Sequence, residues 1–286
     1  MKIALGPLLY YWPRQQVLDF YATVATMQVD IVYLGETVCS RRHELRLDDY
    51  IDLARQLHAA GKEVVSSTLT LIESESDLKA LRRLASADFV VEANEMGAVR
   101  LRAEAKKPFV AGPSLNVFGP ESLRLLHDMG ATRWVLPPEA TREMLAGLQA
   151  TRPAGMETEV FAHGRLPLAY SARCFTARRF NLQKDTCEFK CIDFPAGLAL
   201  NTREGQPFLT LNGIQTQSAK TYNLLGEVPQ MQADGVDVVR ISPEPQGTAE
   251  TVARFRAVID GAVAPARSTD DCNGFWYGQP GLELIA

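Results

Sequence analysis

Residues 30–67 decide the fold: Asp30-Ile31-Val32-Tyr33-Leu34, then Arg46-Leu47-Asp48-Asp49-Tyr50-Ile51-Asp52-Leu53-Ala54-Arg55-Gln56-Leu57-His58-Ala59-Ala60-Gly61, then Glu63-Val64-Val65-Ser66-Ser67. The outer two runs are short, apolar and rich in β-branched residues, as strands covered on both faces are. The middle run sets Leu47, Ile51, Leu53, Ala54 and Leu57 on one helical face, with Asp48 at its start and Gly61 stopping it. Strand, helix and strand in this order make a βαβ crossover, which requires the two strands to run parallel.

The same theme recurs on both sides. Strands are predicted at Lys2–Leu5, Asp30–Leu34, Glu63–Ser67, Phe89–Glu92, Pro108–Ala111, Arg133–Leu136 and Glu157–Phe161, with an eighth at Val236–Ile241. Helices are predicted over 13–26, 46–60, 74–84, 95–105, 120–129 and 139–149, then over 216–234 with an interruption near Gly226 and Pro229, and over Thr248–Asp260. Eight such units are the pattern of an α/β protein of the (β/α)8 TIM-barrel type, and a doubly wound open sheet is the alternative. Between residues 163 and 212 the helical stripes disappear. Short alternating runs at Gly197–Asn201 and Pro207–Leu211 predict a hairpin-rich insertion after strand seven. The expected organisation is one barrel domain over 1–262, including this insertion, and a tail over 263–286. The small, polar start of the tail should wander over the surface, and the aromatic run Phe275-Trp276-Tyr277 should dock on the barrel or on a partner.

The chain has 286 residues, 46% hydrophobic content and a formal net charge of −4, enough for a full core and without an overall pull toward nucleic acid. No apolar run approaches the roughly 20 residues of a membrane span. The N-terminus lacks the pattern of a secretory signal. A cytoplasmic protein is expected, in which clustered cysteines bind metal more often than they pair.

Three of the five cysteines, Cys174, Cys187 and Cys191, fall within eighteen residues of the insertion. Cys39 lies just past strand two and Cys174 follows strand seven, so both belong to the C-terminal face of a barrel, where such folds place their sites. Four thiolates suit zinc or an iron–sulfur cluster. The competing account is that cysteine packs as a small hydrophobe, which is weakest for the polar segment Asp185–Cys191. HExxH, GxSxG, GxGxxG and P-loop patterns are absent. Catalytic candidates at predicted strand ends are Glu36, Asn94, Ser114 and His163, with Ser67, Thr68, Glu92 and Asn116 beside them. His58 and His127 fall on helices and read as surface or packing residues. Arg41, Arg42, Arg165, Arg173, Arg178, Arg179, Lys184 and Lys190 form a basic set that is either a solvated face or a contact for an acidic substrate or partner.

Glu159-Val160-Phe161-Ala162-His163-Gly164, followed by Ser171-Ala172-Arg173-Cys174-Phe175-Thr176, resembles the signature of the collagenase-like U32 peptidase superfamily: ExFxxG, a cysteine, then a GxC step ending in a hydroxyl residue. Pro167 stands where the first signature cysteine would be, and Ala172 replaces the glycine before Cys174. A branch that lacks that cysteine and uses an early one serves oxygen-independent ubiquinone biosynthesis. Leu166-Pro167-Leu168-Ala169, the Cys187/Cys191 pair, Leu211–Ser218 and Cys272-Asn273-Gly274-Phe275-Trp276 resemble that branch.

The resemblance implies a 4Fe-4S cluster held by Cys39, Cys174, Cys187 and Cys191, with no ligand role for Cys272. It implies a heterodimer with a homologous, UbiU-like subunit and hydroxylation of the ubiquinone ring without oxygen. A lipid-carrying accessory protein would supply the prenylated quinone precursor, and prephenate is implicated as oxygen donor. Other members hydroxylate RNA bases, which is one alternative, though the acidic balance disfavours a nucleic-acid partner. A non-catalytic, cluster-bearing partner subunit is the other. No nucleophile–base pair supports peptidase activity.

Overall fold

A computed structural model describes all 286 residues. The chain begins with six βα units: β1 Lys2–Leu5, α1 Arg14–Val24, β2 Ile31–Leu34, α2 Leu47–Ala59, β3 Glu63–Ser67, α3 Glu75–Ser86, β4 Val90–Ala93, α4 Met96–Glu104, β5 Phe109–Ala111, α5 Pro120–Asp128, β6 Ala131–Leu136 and α6 Arg142–Ala150. Helix starts carry their caps: Ser74 and Asp77 form a capping box on α3, and Thr141 accepts from the Met144 amide on α6. Next come β7 Glu157–Gly164, then β8 Pro167–Tyr170, α7 Phe175–Arg179, β9 Leu198–Asn201, β10 Pro207–Asn212 and β11 Gln215–Ser218. The chain finishes with β12 Thr221–Asn223, α8 Val228–Ala233, β13 Val238–Ile241, α9 Thr248–Ile259 and β14 Asp271–Cys272.

β1 to β7 pair in sequence, all parallel, and β13 pairs parallel with both β7 and β1. Eight strands therefore close on themselves into a TIM barrel, with no open edge. The open-sheet alternative is excluded by that closure. The main apolar core lies between strands and helices, where Ile3, Leu5, Val32, Leu34, Trp134 and Phe255 meet.

The inside of the barrel departs from the expected apolar strands. Ala4, Ile31, Tyr33, Val65, Val110, Val135 and Val238 form its small apolar cluster. The remaining inward positions carry Glu92, Arg133, Glu159 and Arg240, all buried. Arg240 donates through Nε to Glu159 at 2.5 Å and lies 2.8 Å from Glu92 through Nη1, with its guanidinium 4.0 Å over the Tyr33 ring. The Tyr33 hydroxyl donates to Glu159 at 2.5 Å, and Arg133 ties Glu63 and Glu157 below it. A column of alternating charge thus runs along the barrel axis, each buried charge standing beside an opposite one, although Arg240 Nη2 has no hydrogen-bond partner.

The insertion is a four-stranded antiparallel sheet in the order β8-β11-β10-β9. It extends to Ser218, beyond the expected limit of 212. The helix expected over 216–234 is correspondingly wrong for its first half: β11 occupies 215–218, β12 follows, and only Val228–Ala233 is α-helical. The physical reason is the Asn212-Gly213 turn. Gly213 takes φ +65°, and Asn212 pairs with Gln215 across it, which turns the chain back as a hairpin.

The tail's exposed start reaches β14, which adds to β12, and Trp276 and Cys272 are buried there. Glu227 receives the Tyr277 hydroxyl at 2.8 Å and the Arg267 guanidinium, so the aromatic run docks on its own barrel.

Candidate functional site

The loop after β2 begins with a close approach. Gly35 has φ +125°, and a β-carbon there would stand 2.6 Å from the Ser67 carbonyl oxygen. Only glycine permits this passage. The next residue, Glu36, accepts the Val38 amide at 2.8 Å and the Cys39 amide at 2.9 Å through Oε1, which pins the turn that presents Cys39.

Cys174 stands at the N-cap of α7, its sulfur receiving the Ala177 amide at 3.4 Å. Between Cys187 and Cys191 two non-glycine residues, Glu188 and Phe189, take left-handed φ of 50° and 52°. That turn brings both ends of the CxxxC segment to one side. The sulfur-bearing residues Cys39, Cys174, Cys187 and Cys191 line a single cavity together with Arg42 and Lys184. Cys272 does not.

Arg42 is the buried cation of this cavity. Its side chain is 2% exposed and donates to the Leu9 carbonyl and to Asn212 Oδ1, each at 2.7 Å, with Glu36 3.6 Å away. Burial pushes the Cys39 thiol up to about 11, and it raises Cys191 as well, with the Arg42 charge opposing. A metal entering here must therefore displace protons. Four soft sulfur donors, an N–H donated to one sulfur and a buried cation suit a thiolate-bound metal centre. The space between them is about 20 Å³, room for about one water-sized body. No three of the Cys, His, Asp and Glu side chains stand at metal-ligating spacing.

Several basic residues of the expected patch are engaged within the chain. Arg41 donates to the Asp185 carbonyl at 2.6 Å, Lys184 pairs with Glu73, and Lys190 with Glu188 at 3.0 Å. Arg165 donates to the Ala196 carbonyl, while Arg173, Arg178 and Arg179 are exposed.

A second cavity, of about 470 Å³, opens at the C-terminal end of the barrel. Asn94, Ser114, Phe161 and Ser242 line its walls, Arg240 lies at its floor, and Tyr170 belongs to the β8 segment over it. Asn94 is held on three sides. Its backbone amide donates to Thr68 Oγ1 at 2.9 Å, and its Nδ2 donates to the Thr68 carbonyl at 3.0 Å and to Glu92 at 3.2 Å. Ser114 donates to the Asn94 carbonyl at 2.6 Å. Gly112 makes room for this, since a β-carbon there would fall 2.1 Å from Asn94 Oδ1.

The four candidates thus separate. Asn94 and Ser114 line the mouth cavity; Glu36 supports the Cys39 turn instead. His163 lines neither cavity: an extra residue in β7 shifts the register between Arg240 and Ile241, and the imidazole packs edge-on against Phe255 of α9, ring centroids 6.0 Å apart. Burial depresses it to about 4. Arg240 and Glu159 were not among the sequence candidates, although each is a charge inside an apolar predicted strand, which was their available signal.

These features define a class: a (β/α)8 barrel with a β insert over its C-terminal face, whose three cysteines line one cavity with Cys39 from the loop after β2. The chain belongs to peptidase family U32, whose pattern it matches over residues 18–278. Among solved structures it is similar to the U32 peptidase Mk0906, at 15% identity and a TM-score of 0.44 over 85% of this chain and 93% of that one. It is also similar to 3-hexulose-6-phosphate synthase from Salmonella typhimurium, at 15% identity and TM-score 0.47 over 91% of this chain and 100% of that one. A truncated 3-deoxy-D-arabino-heptulosonate 7-phosphate synthase from Thermotoga maritima gives 11% identity and TM-score 0.48, over 91% and 87%. No helix is long and apolar enough to cross a membrane.

Proposed function

We propose that this U32 chain is an iron–sulfur subunit of the UbiV type, acting with a homologous UbiU-like partner in oxygen-independent hydroxylation of the ubiquinone ring, with prephenate as oxygen donor. The observation that carries the reading is the meeting of Cys39, Cys174, Cys187 and Cys191, from two distant parts of the chain, around one cavity. These four thiolates would hold a 4Fe-4S cluster, whose chemistry is one-electron transfer. Glu36 orients Cys39, and Arg42 offsets the negative charge of the thiolates. The mouth cavity, with Asn94 and Ser114 in its wall, would admit the reacting ring. The prenylated precursor would arrive on a lipid-carrying accessory protein.

Purification without oxygen tests the centre. A brown protein with about four irons per chain is expected, reduced by Cys187→Ser and unchanged by Cys272→Ser. One zinc and no iron would refute it. A strain lacking the gene should lose quinone production only without oxygen.

The non-catalytic reading is favoured by one observation: the Ser114 hydroxyl and the Asn94 amide are committed to internal hydrogen bonds. Asn94→Ala and Ser114→Ala decide it, since full quinone output from both would move the chemistry to the partner. Loss of a hydroxylated RNA base in the deletion strain would instead favour RNA as substrate.

A further inference from the structure

The helical layer opens over β3. α3 packs on α4, and α1 on α2, but α2 and α3 part to leave a cleft of about 720 Å³. At its base the outward residues of β3, Val64 and Ser66, are only half-buried, whereas β2 and β13 are covered along their whole length. A parallel strand inside a barrel is normally covered on both faces. Ile51 and Ala54 on one wall and Leu84 on the other are likewise half-buried apolar groups that line the cleft.

The lining changes character along its length. The inner end, at the C-terminal side of the barrel, has Glu36, Ser40, Arg42 and His43; the middle is hydrocarbon; Arg55, His58 and Arg83 stand toward the far rim. Arg42 is shared: it lines this cleft and the thiol cavity. A polar inner end beside the thiols and an apolar body leading away match a molecule with an oxygen-bearing head and a hydrocarbon tail.

The volume of about 720 Å³ lies within the range of small-ligand sites, and the change from a polar inner end to an apolar body fits a slender amphiphile. We propose that the α2–α3 cleft binds a flexible hydrocarbon chain, with its polar head at Glu36 and Arg42 beside the four cysteines. In the quinone reading this would be where the precursor's tail lies, but chain binding itself does not depend on that reading.

Native mass spectrometry of the full-length protein with farnesol, and separately with dodecanoic acid, tests it. One chain molecule per protein is expected. Ala54→Trp, which fills the cleft, should weaken binding about tenfold or more, and Ala80→Trp on the opposite, exposed wall should do the same if the first variant folds poorly. Ala59→Trp, on α2 outside the cleft, should bind as the parent does. Binding of farnesol alone identifies a prenyl source, and of dodecanoic acid alone an acyl source; either supports the site. The proposal fails if neither binds, if the filled variants bind as well as the parent, or if filling the cleft only breaks self-association of the chain. Quinone output plays no part in this readout, so its loss or retention leaves the two readings separable.

Discussion

Replacing Arg240 by methionine would keep the aliphatic volume and remove the charge at the centre of the barrel column. Glu92 and Glu159, with side chains 1% and 0% exposed, would then face each other without their shared cation. Breaking a buried pair by removing one partner costs about 3–5 kcal/mol, and losing the guanidinium above Tyr33 removes about 0.5–2 kcal/mol more. Against a total stability of about 5–15 kcal/mol, this is a large fraction. Urea unfolding followed by tryptophan fluorescence should show a much lower midpoint. The triple variant R240M/E92Q/E159Q, which also removes the two stranded charges, should recover most of the loss. Arg100→Ala, at an exposed pair with Glu104, should leave the midpoint unchanged. The reasoning is refuted if R240M loses less than about 1 kcal/mol, or if the triple variant is no more stable than the single one.

Gly35→Ala should destabilise the chain by about 1–3 kcal/mol from backbone strain alone, with the approach to the Ser67 carbonyl in addition; an unchanged melting temperature would contradict the close passage. His163 is held to about 4 by burial against an ordinary value of 6.5, so the folded chain binds fewer protons than the unfolded one between those values. Its contribution is therefore full above about pH 6.5 and lost as pH falls toward 4, and His163→Phe should flatten the urea midpoint over that window. Glu36→Gln keeps an acceptor for the two amides and removes a charge that raises the Cys39 thiol. In metal-free protein at mildly alkaline pH, Cys39 should then react faster with iodoacetamide, read by peptide mapping; an unchanged rate would show that Glu36 acts on Cys39 through geometry alone.

Much of this site was legible as sequence because its signals are local. The βαβ rhythm depends on side-chain periodicity within single segments, and Cys187 and Cys191 are separated by only a short turn. The first half of 216–234 was misread because Gln215–Ser218 carries no clear period; pairing with β8 and β10 on both sides made it a strand. His163 was expected at the mouth because it follows predicted strand seven and precedes Gly164, but β7 runs on to Gly164 with a bulge, and the imidazole packs on Phe255 instead.

The sequence by itself determined the barrel, the insertion after strand seven and the clustering of Cys174, Cys187 and Cys191, since periodicity, turn residues and short spacings act over a few residues. Tertiary structure alone decided that Glu92, Glu159 and Arg240 meet inside the barrel and that Arg42 forms a wall common to the thiol cavity and the α2–α3 cleft. Closure of the eight strands brings positions more than a hundred residues apart within contact, and at that range desolvation and charge pairing, which no local pattern records, choose the neighbours.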